Sequence, residues 1–217
     1  MIKNSQNDKE EVDTKTENSK VIVKNTDLES ALEIEDFENR IIHINSDIDD
    51  DVLFSVTDLI LRYNRYDLVV QSKDRNPIII YINSSGGDKF AGLGIVDAII
   101  ESQTPVYTVN IGACMSMAAL IFLAGEKRYS FRHSTFLLHD GEIAINSAAL
   151  KVKCATKFMC DDMLKVDMDL LLDRTNIDKK TFNKKYAGEW YFFGEEAKKL
   201  GVVTDVIGVD CKMTDIV

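Results

Sequence analysis

The segment Pro77–Asn83 (PIIIYIN) restricts this chain more than any other. β-branched side chains lose χ1 freedom in a helix and pack well on a pleated surface, so the isoleucine run favours a strand. Its apolar residues are successive rather than alternating, which means that both faces of the strand must be covered. That is the condition of a parallel sheet with helices on its faces. Pro77 has no N–H to give to a ladder, and the first position of a strand is where that loss is tolerated. A chain built around such a strand also has to provide crossover helices.

The flanking sequence provides them. Arg40–Asn45 (RIIHIN) reads as a short strand, and the acidic cluster Asp47–Asp51 caps a helix from Val52 to about Tyr66. Val52, Leu53, Val56, Leu59 and Ile60 share one face of that helix. After the Gly86-Gly87 turn comes a helix from about Asp88 to Ser102, with Phe90, Leu93, Val96 and Ile100 expected inward. Pro105 opens a strand over Val106–Asn110, Gly112 breaks it, and a helix of small residues starts near Ser116. Arg128–Leu138 reads as strand, Asn146–Thr175 as one long amphipathic helix, and Val202–Ile207 as a last strand. This alternation, with no internal repeat, predicts an α/β layered fold with right-handed crossovers.

With 217 residues and 45% hydrophobic content, the chain fits one ordinary domain with a sizeable core and a tail. The tail is expected at residues 1–30, which are polar, lack aromatics and cannot offset the entropy of ordering. It reads as a disordered extension or a removable propeptide, with order beginning near Ile34. A formal net charge of -10 argues against nucleic-acid partners and against an anionic membrane surface. The N-terminus shows no secretory apolar core, and the longest apolar stretch, around Met115–Ala124, is too short to span a bilayer. The cytoplasm is therefore the expected location. Cys114, Cys154, Cys160 and Cys211 match no zinc spacing and read as buried or partly buried thiols.

One place in the chain has a chemical use. In Ile111–Leu120 (IGACMSMAAL) a buried strand ends, a glycine turns the chain, and Ser116 stands at the start of a helix. α/β folds keep their sites at this edge of the sheet. The Met117 N–H, in the first helical turn, has no partner within its helix and is free for an oxyanion. Asn83–Asp88 (NSSGGD) brings a second candidate amide on a loop that glycine lets approach closely. A serine nucleophile needs a base, and there are three histidines. His43 lies inside a strand and reads as structural; His133 reads as a turn residue. His139 follows Phe136–Leu138, where a strand leaves the core, a suitable place for a base. Taken singly, each feature also has an ordinary structural reading.

Together they resemble the ClpP-type serine peptidases, of the ClpP/crotonase-like superfamily. Tyr81–Gly87 (YINSSGG) resembles their YINSPGG segment and Ile111–Ala119 their GxAASMAA nucleophile segment. Phe136–His139 is similar to the stretch bearing their histidine. Phe193–Ala197 with Leu200–Val203 is similar to their FxSAxEAxxxGLVD ending. The four blocks run in the family's order from about residue 38 to about 208. The resemblance implies the layered fold of repeated β-β-α units with a long handle helix, here a peptidase domain over residues 31–217. It also implies Ser116 as nucleophile, His139 as base, and Gly87 and Met117 as oxyanion hole. The family's aspartate is matched by Glu189.

The family's chemistry implies no metal and no organic cofactor, polypeptide substrates, and a homo-oligomeric ring with the helix as handle. A divergent or viral member of the family would also fit. Departures are Ser85 in place of the family's proline and an altered Asp140–Asn146 (DGEIAIN) segment. The N-terminal region does not match the axial-loop segment, which speaks against a Clp-type ATPase partner that the family otherwise implies. The expected activity is endopeptidase hydrolysis through an acyl-enzyme on Ser116. The alternatives are a non-catalytic ring subunit, or a crotonase-type acyl-CoA enzyme, which would bind CoA.

Overall fold

The computed structural model describes residues 28–216. Most of the tail expected at residues 1–30 therefore lies outside the described residues. The chain divides after Asn39 into two units. In the first, α1 (Leu28–Glu38) is already helical where the sequence reading ended its tail.

The second unit, from Arg40 onward, carries the sheet. Strands β1 (Ile41–Ile44), β2 (Ile78–Ser84), β3 (Val106–Met115), β4 (Lys127–Phe131) and β7 (Asp205–Ile207) run parallel in the order β1-β2-β3-β4-β7. β5 (Thr135–Leu138) pairs parallel with the end of β3, and β6 (Trp190–Phe193) runs antiparallel to β5. The expectation from the isoleucine run holds. Ile78, Ile80 and Ile82 enter the main core while Ile79 packs with Val109, Tyr129 and Ile207 on the other face.

Helices α2 (Asp50–Tyr66), α3 (Lys89–Ile100) and α4 (Met117–Ala124) contribute to the main core, and all eight residues of α4 are buried. Asp49 caps α2 by accepting from the Val52 N–H at 2.9 Å. The α3 face differs from the expected one. Ala91, Ile95, Val96 and Ile99 are buried, whereas Phe90 and Ile100 are exposed. This helix is apolar nearly all round, so periodicity alone had no polar side to orient it.

Two further expectations are corrected. The single strand over Arg128–Leu138 is two, β4 and β5, separated by a turn closed by Ser134 N–H to Phe131 O at 3.2 Å. The reason lies in β3. Between paired positions Ile82↔Asn110 and Ser84↔Cys114, β2 advances two residues and β3 four, so β3 is kinked. Before the kink β3 pairs with β4, and after it with β5. The last strand is also shorter than expected, because the Val202 N–H is used by Ala197 O at the end of α8 (Gly194–Lys199).

The handle segment forms α5 (Ala149–Lys157), a π-helical stretch Phe158–Met163 and α6 (Leu164–Arg174), followed by α7 (Lys179–Lys185). Cys154 and Cys160, expected to be at least partly buried, are exposed on this segment; Cys114 is buried. No helix among the described residues is long and apolar enough to cross a membrane. No three His, Cys, Asp or Glu side chains there form a metal-binding group.

Candidate active site

The kink in β3 carries the strand's end across to β5, and Ser116 stands at the corner where β3 meets α4. Its φ of 52° and ψ of -124° are left-handed geometry that a non-glycine residue rarely adopts. The corner is pinned from both sides. Ser116 N–H donates to Leu137 O at 2.9 Å, and Ser116 O accepts from the Ala119 N–H at 3.0 Å. The hydroxyl makes no capping bond to its own helix and remains available.

The Ser84–Gly87 loop is held against this corner. Gly86 O accepts from the Ile48 N–H at 2.8 Å and Ile48 O from the Asp88 N–H at 2.7 Å. Gly87, bridged to Ile48 between those two bonds, turns its own N–H to the opposite side, where the cleft lies. Gly86 and Gly87 have φ of 109° and 145°. A Cβ on Gly86 would stand 2.7 Å from Ser116 Cβ and 3.2 Å from Met117 N; one on Gly87 would meet Ile48 O at 2.3 Å. Only glycine lets the loop lie this close. Ser85, standing where the related pattern has proline, donates its hydroxyl to Asp47 Oδ1 at 2.7 Å.

Ser116, Met117, Gly87 and His139 line one cleft of about 460 Å³. His139 follows directly on β5, two residues after the Leu137 carbonyl that holds Ser116. Its Nε2 is buried and has no hydrogen-bond partner among the described residues, so it is not bonded to the Ser116 hydroxyl.

Glu189 immediately precedes β6. The antiparallel pairing ends at Leu138 with Trp190, and its register extended by one position would set Glu189 against His139. Its carboxylate, however, lies beside the exposed Tyr191, whose phenol is raised by partial desolvation and by that carboxylate. Among the described residues no hydrogen bond or ion pair joins Glu189 to His139. His43 stacks on Tyr81 at 5.6 Å and His133 is exposed in the β4–β5 turn, so neither is near Ser116 in the chain's pairing.

The sequence reading missed one group in this cleft. Asp167 is buried on α6, where it accepts from Lys89 Nζ and, at 2.9 Å, from the Tyr186 hydroxyl. Burial, then Asp167, push the Tyr186 phenol well above its ordinary value. A signal was present, since Met163, Asp167 and Leu171 stand four apart on the buried stripe of the handle helix, a carboxylate among apolar residues.

The family described as Clp protease matches residues 25–210. The chain is 31% identical over 172 residues to ATP-dependent Clp protease proteolytic subunit 1 of Bacillus cereus, covering 78% of this chain and 85% of that one. It is 30% identical over 132 residues to ATP-dependent Clp protease proteolytic subunit 2 of Treponema denticola, covering 60% of this chain and 66% of that one. The ATP-dependent Clp protease proteolytic subunit of Deinococcus radiodurans is 26% identical over 173 residues, 78% and 80% of the two chains. With the parallel sheet, the strained Ser116 corner and a match that spans every strand of the sheet, this chain belongs to the Clp protease family, as a ClpP-type peptidase.

Proposed function

We propose that the protein is a serine endopeptidase that cleaves polypeptides through an acyl-enzyme on Ser116. The observation that carries this reading is the corner itself. A strained serine with an uncapped hydroxyl stands in a cleft beside His139 and the Gly87 and Met117 amides. In this mechanism His139 Nε2 takes the proton of Ser116 Oγ as the oxygen attacks the scissile carbonyl. The Gly87 and Met117 N–H groups stabilise the oxyanion, and His139 then protonates the leaving amine. A water activated by the same imidazole releases the acyl group. The unpartnered Nε2 is kept out of bulk solvent, ready to accept that hydrogen bond. Glu189 completes the triad by turning from Tyr191 to the adjacent rung, where it orients and stabilises the imidazolium.

The working form in this proposal is a cytoplasmic homo-oligomeric ring. Leu150, Phe158 and Val166 of the handle segment are exposed, which supports burial against further copies. The relatives are named ATP-dependent, which supports a Clp-type ATPase as partner, whereas the mismatch of the N-terminal region with the axial-loop segment speaks against one. A second reading, a non-catalytic ring subunit, is favoured by one observation, the placing of the Glu189 carboxylate beside Tyr191 rather than His139.

Covalent labelling with a fluorophosphonate, read by intact mass, separates the two. Stoichiometric labelling of the wild type and none of Ser116→Ala is the expected result. Labelling of both proteins would place the reactive serine elsewhere, and labelling of neither would favour the structural subunit.

A further inference from the structure

The cleft that begins at Ser116 has apolar sides and a polar floor. Leu120, Leu137, Met159, Met163 and Leu164 line its sides. Its polar floor is formed by Lys89, Asp167 and Tyr186, from three different helices or their ends. The P1 side chain of a bound peptide branches from the carbon next to the acyl carbon on Ser116, and Ser116 itself lines this concavity, which makes it the candidate to receive that side chain. The inference therefore rests on the peptidase reading above.

The floor is asymmetric in its hydrogen-bonding capacity. Asp167 is 3% exposed in its side chain, and both its oxygens are engaged, Oδ1 by Lys89 Nζ and Oδ2 by the Tyr186 hydroxyl. Lys89 is 24% exposed in its side chain, and an ammonium has three N–H donors, of which the bond to Asp167 uses one. The remaining donors are what the floor offers a substrate.

Lys89 and Asp167 neutralise each other, so neither is left as a free counter-ion for a charged P1 group. Asp140 and Glu142 also line the cleft and disfavour an acidic group, while a basic group would meet Lys89. Asp88, the other acidic lining residue, is occupied in capping α3 through the Ala91 N–H at 2.8 Å. A long, neutral side chain with an apolar stem and a terminal acceptor fits all of these conditions.

We propose that Lys89, held by Asp167, whose other oxygen Tyr186 occupies, is a specificity-determining residue and that the cleft selects glutamine at P1. The stem packs between Met163 and Leu120, and the terminal carbonyl accepts from Lys89 Nζ. An aliphatic residue of the same length would desolvate the ammonium and leave its donors unpaired, which is the more costly error in a polar pocket.

The test uses peptidyl diphenyl phosphonates identical except at P1, carrying glutamine, norleucine, glutamate or lysine analogues, with the rate of Ser116 labelling read by intact mass. The glutamine probe is expected to label the full-length protein about tenfold or more faster than each of the others. In the variant Lys89→Met/Asp167→Leu/Tyr186→Phe the order should reverse in favour of norleucine. Ratios taken within one preparation cancel any loss of active protein, and if the variant does not fold, the wild-type ratio decides alone. Norleucine equal to or faster than glutamine in the wild type overturns the proposal. So does glutamate or lysine as the fastest probe, or a ratio unchanged in a folded variant. In those cases labelling by the plain fluorophosphonate leaves the peptidase reading standing. If the plain reagent also fails, the peptidase reading fails and takes this inference with it.

Discussion

At Ser116 a backbone angle and the proposed chemical role meet in one residue. A non-glycine residue at φ 52° is held there by the Leu137 carbonyl and the first turn of α4. Strain of this kind costs about 1–3 kcal/mol and is relieved when the residue is glycine. Ser116→Gly should therefore be more stable than Ser116→Ala by about 1 kcal/mol in denaturant unfolding, with both inactive. Equal stability would mean that the corner is not strained. Gly87→Ala should be destabilised by more than about 1 kcal/mol and lose labelling of Ser116, because its Cβ would stand 2.3 Å from Ile48 O. For Glu189→Gln the fold should be retained while turnover falls about a hundredfold or more. Wild-type turnover in that variant would remove Glu189 from the mechanism.

Between elements, one polar clip ties the start of β1 to the end of α2. Arg40 donates to both oxygens of the buried Asp67 at 2.7 Å, and Thr104 donates its hydroxyl to the same carboxylate at 2.6 Å. The Arg40 hydrogen bonds hold the Asp67 carboxyl below its ordinary value against the opposing effect of burial, with Thr104 adding to the lowering. A group depressed in the folded state contributes stability that is full above its unfolded value, near 4, and is lost as pH falls through the folded one. Unfolding measured from neutral pH downward should show this loss below about pH 4, and Asp67→Asn should flatten it. Arg40→Ala, which leaves a buried carboxylate with Thr104 as its remaining partner, should cost about 3 kcal/mol.

The order of elements was legible in the sequence up to the handle segment, whereas α7, β6 and α8 were not. Apolar runs opened by Pro77 and Pro105 announced buried strands, and the acidic cluster Asp47–Asp51 announced the start of a helix. The boundaries that failed, such as the split of Arg128–Leu138, depend on the β3 kink, and a kink has no local hydrophobic pattern.

Across the whole sheet-bearing unit, α4 is the element around which the layers close. Phe122 is fully buried and meets Phe136 edge-on at 5.1 Å, and Phe136 stacks on Phe192 at 5.5 Å. This chain of rings joins α4 to β5 and β6, the elements that Ser116, His139 and Glu189 directly adjoin. Phe122→Ala should destabilise the protein by about 3–5 kcal/mol, and an effect below about 1 kcal/mol in denaturant titration would argue against one continuous core.

The sequence by itself determined the class of fold and the two most exposed facts of the site, a serine at a strand-to-helix turn and a histidine at a strand's end. Those follow from local chemistry, in which β-branched runs, caps and glycines act over a few residues. Only the tertiary structure decided which residues share the cleft. Lys89, Asp167 and Tyr186 lie far apart in the chain, and a helix face and a crossover bring them together. It also decided that α3 buries Ala91 and Ile95 rather than Phe90, because on a helix apolar nearly all round the choice of face belongs to the partner it packs against.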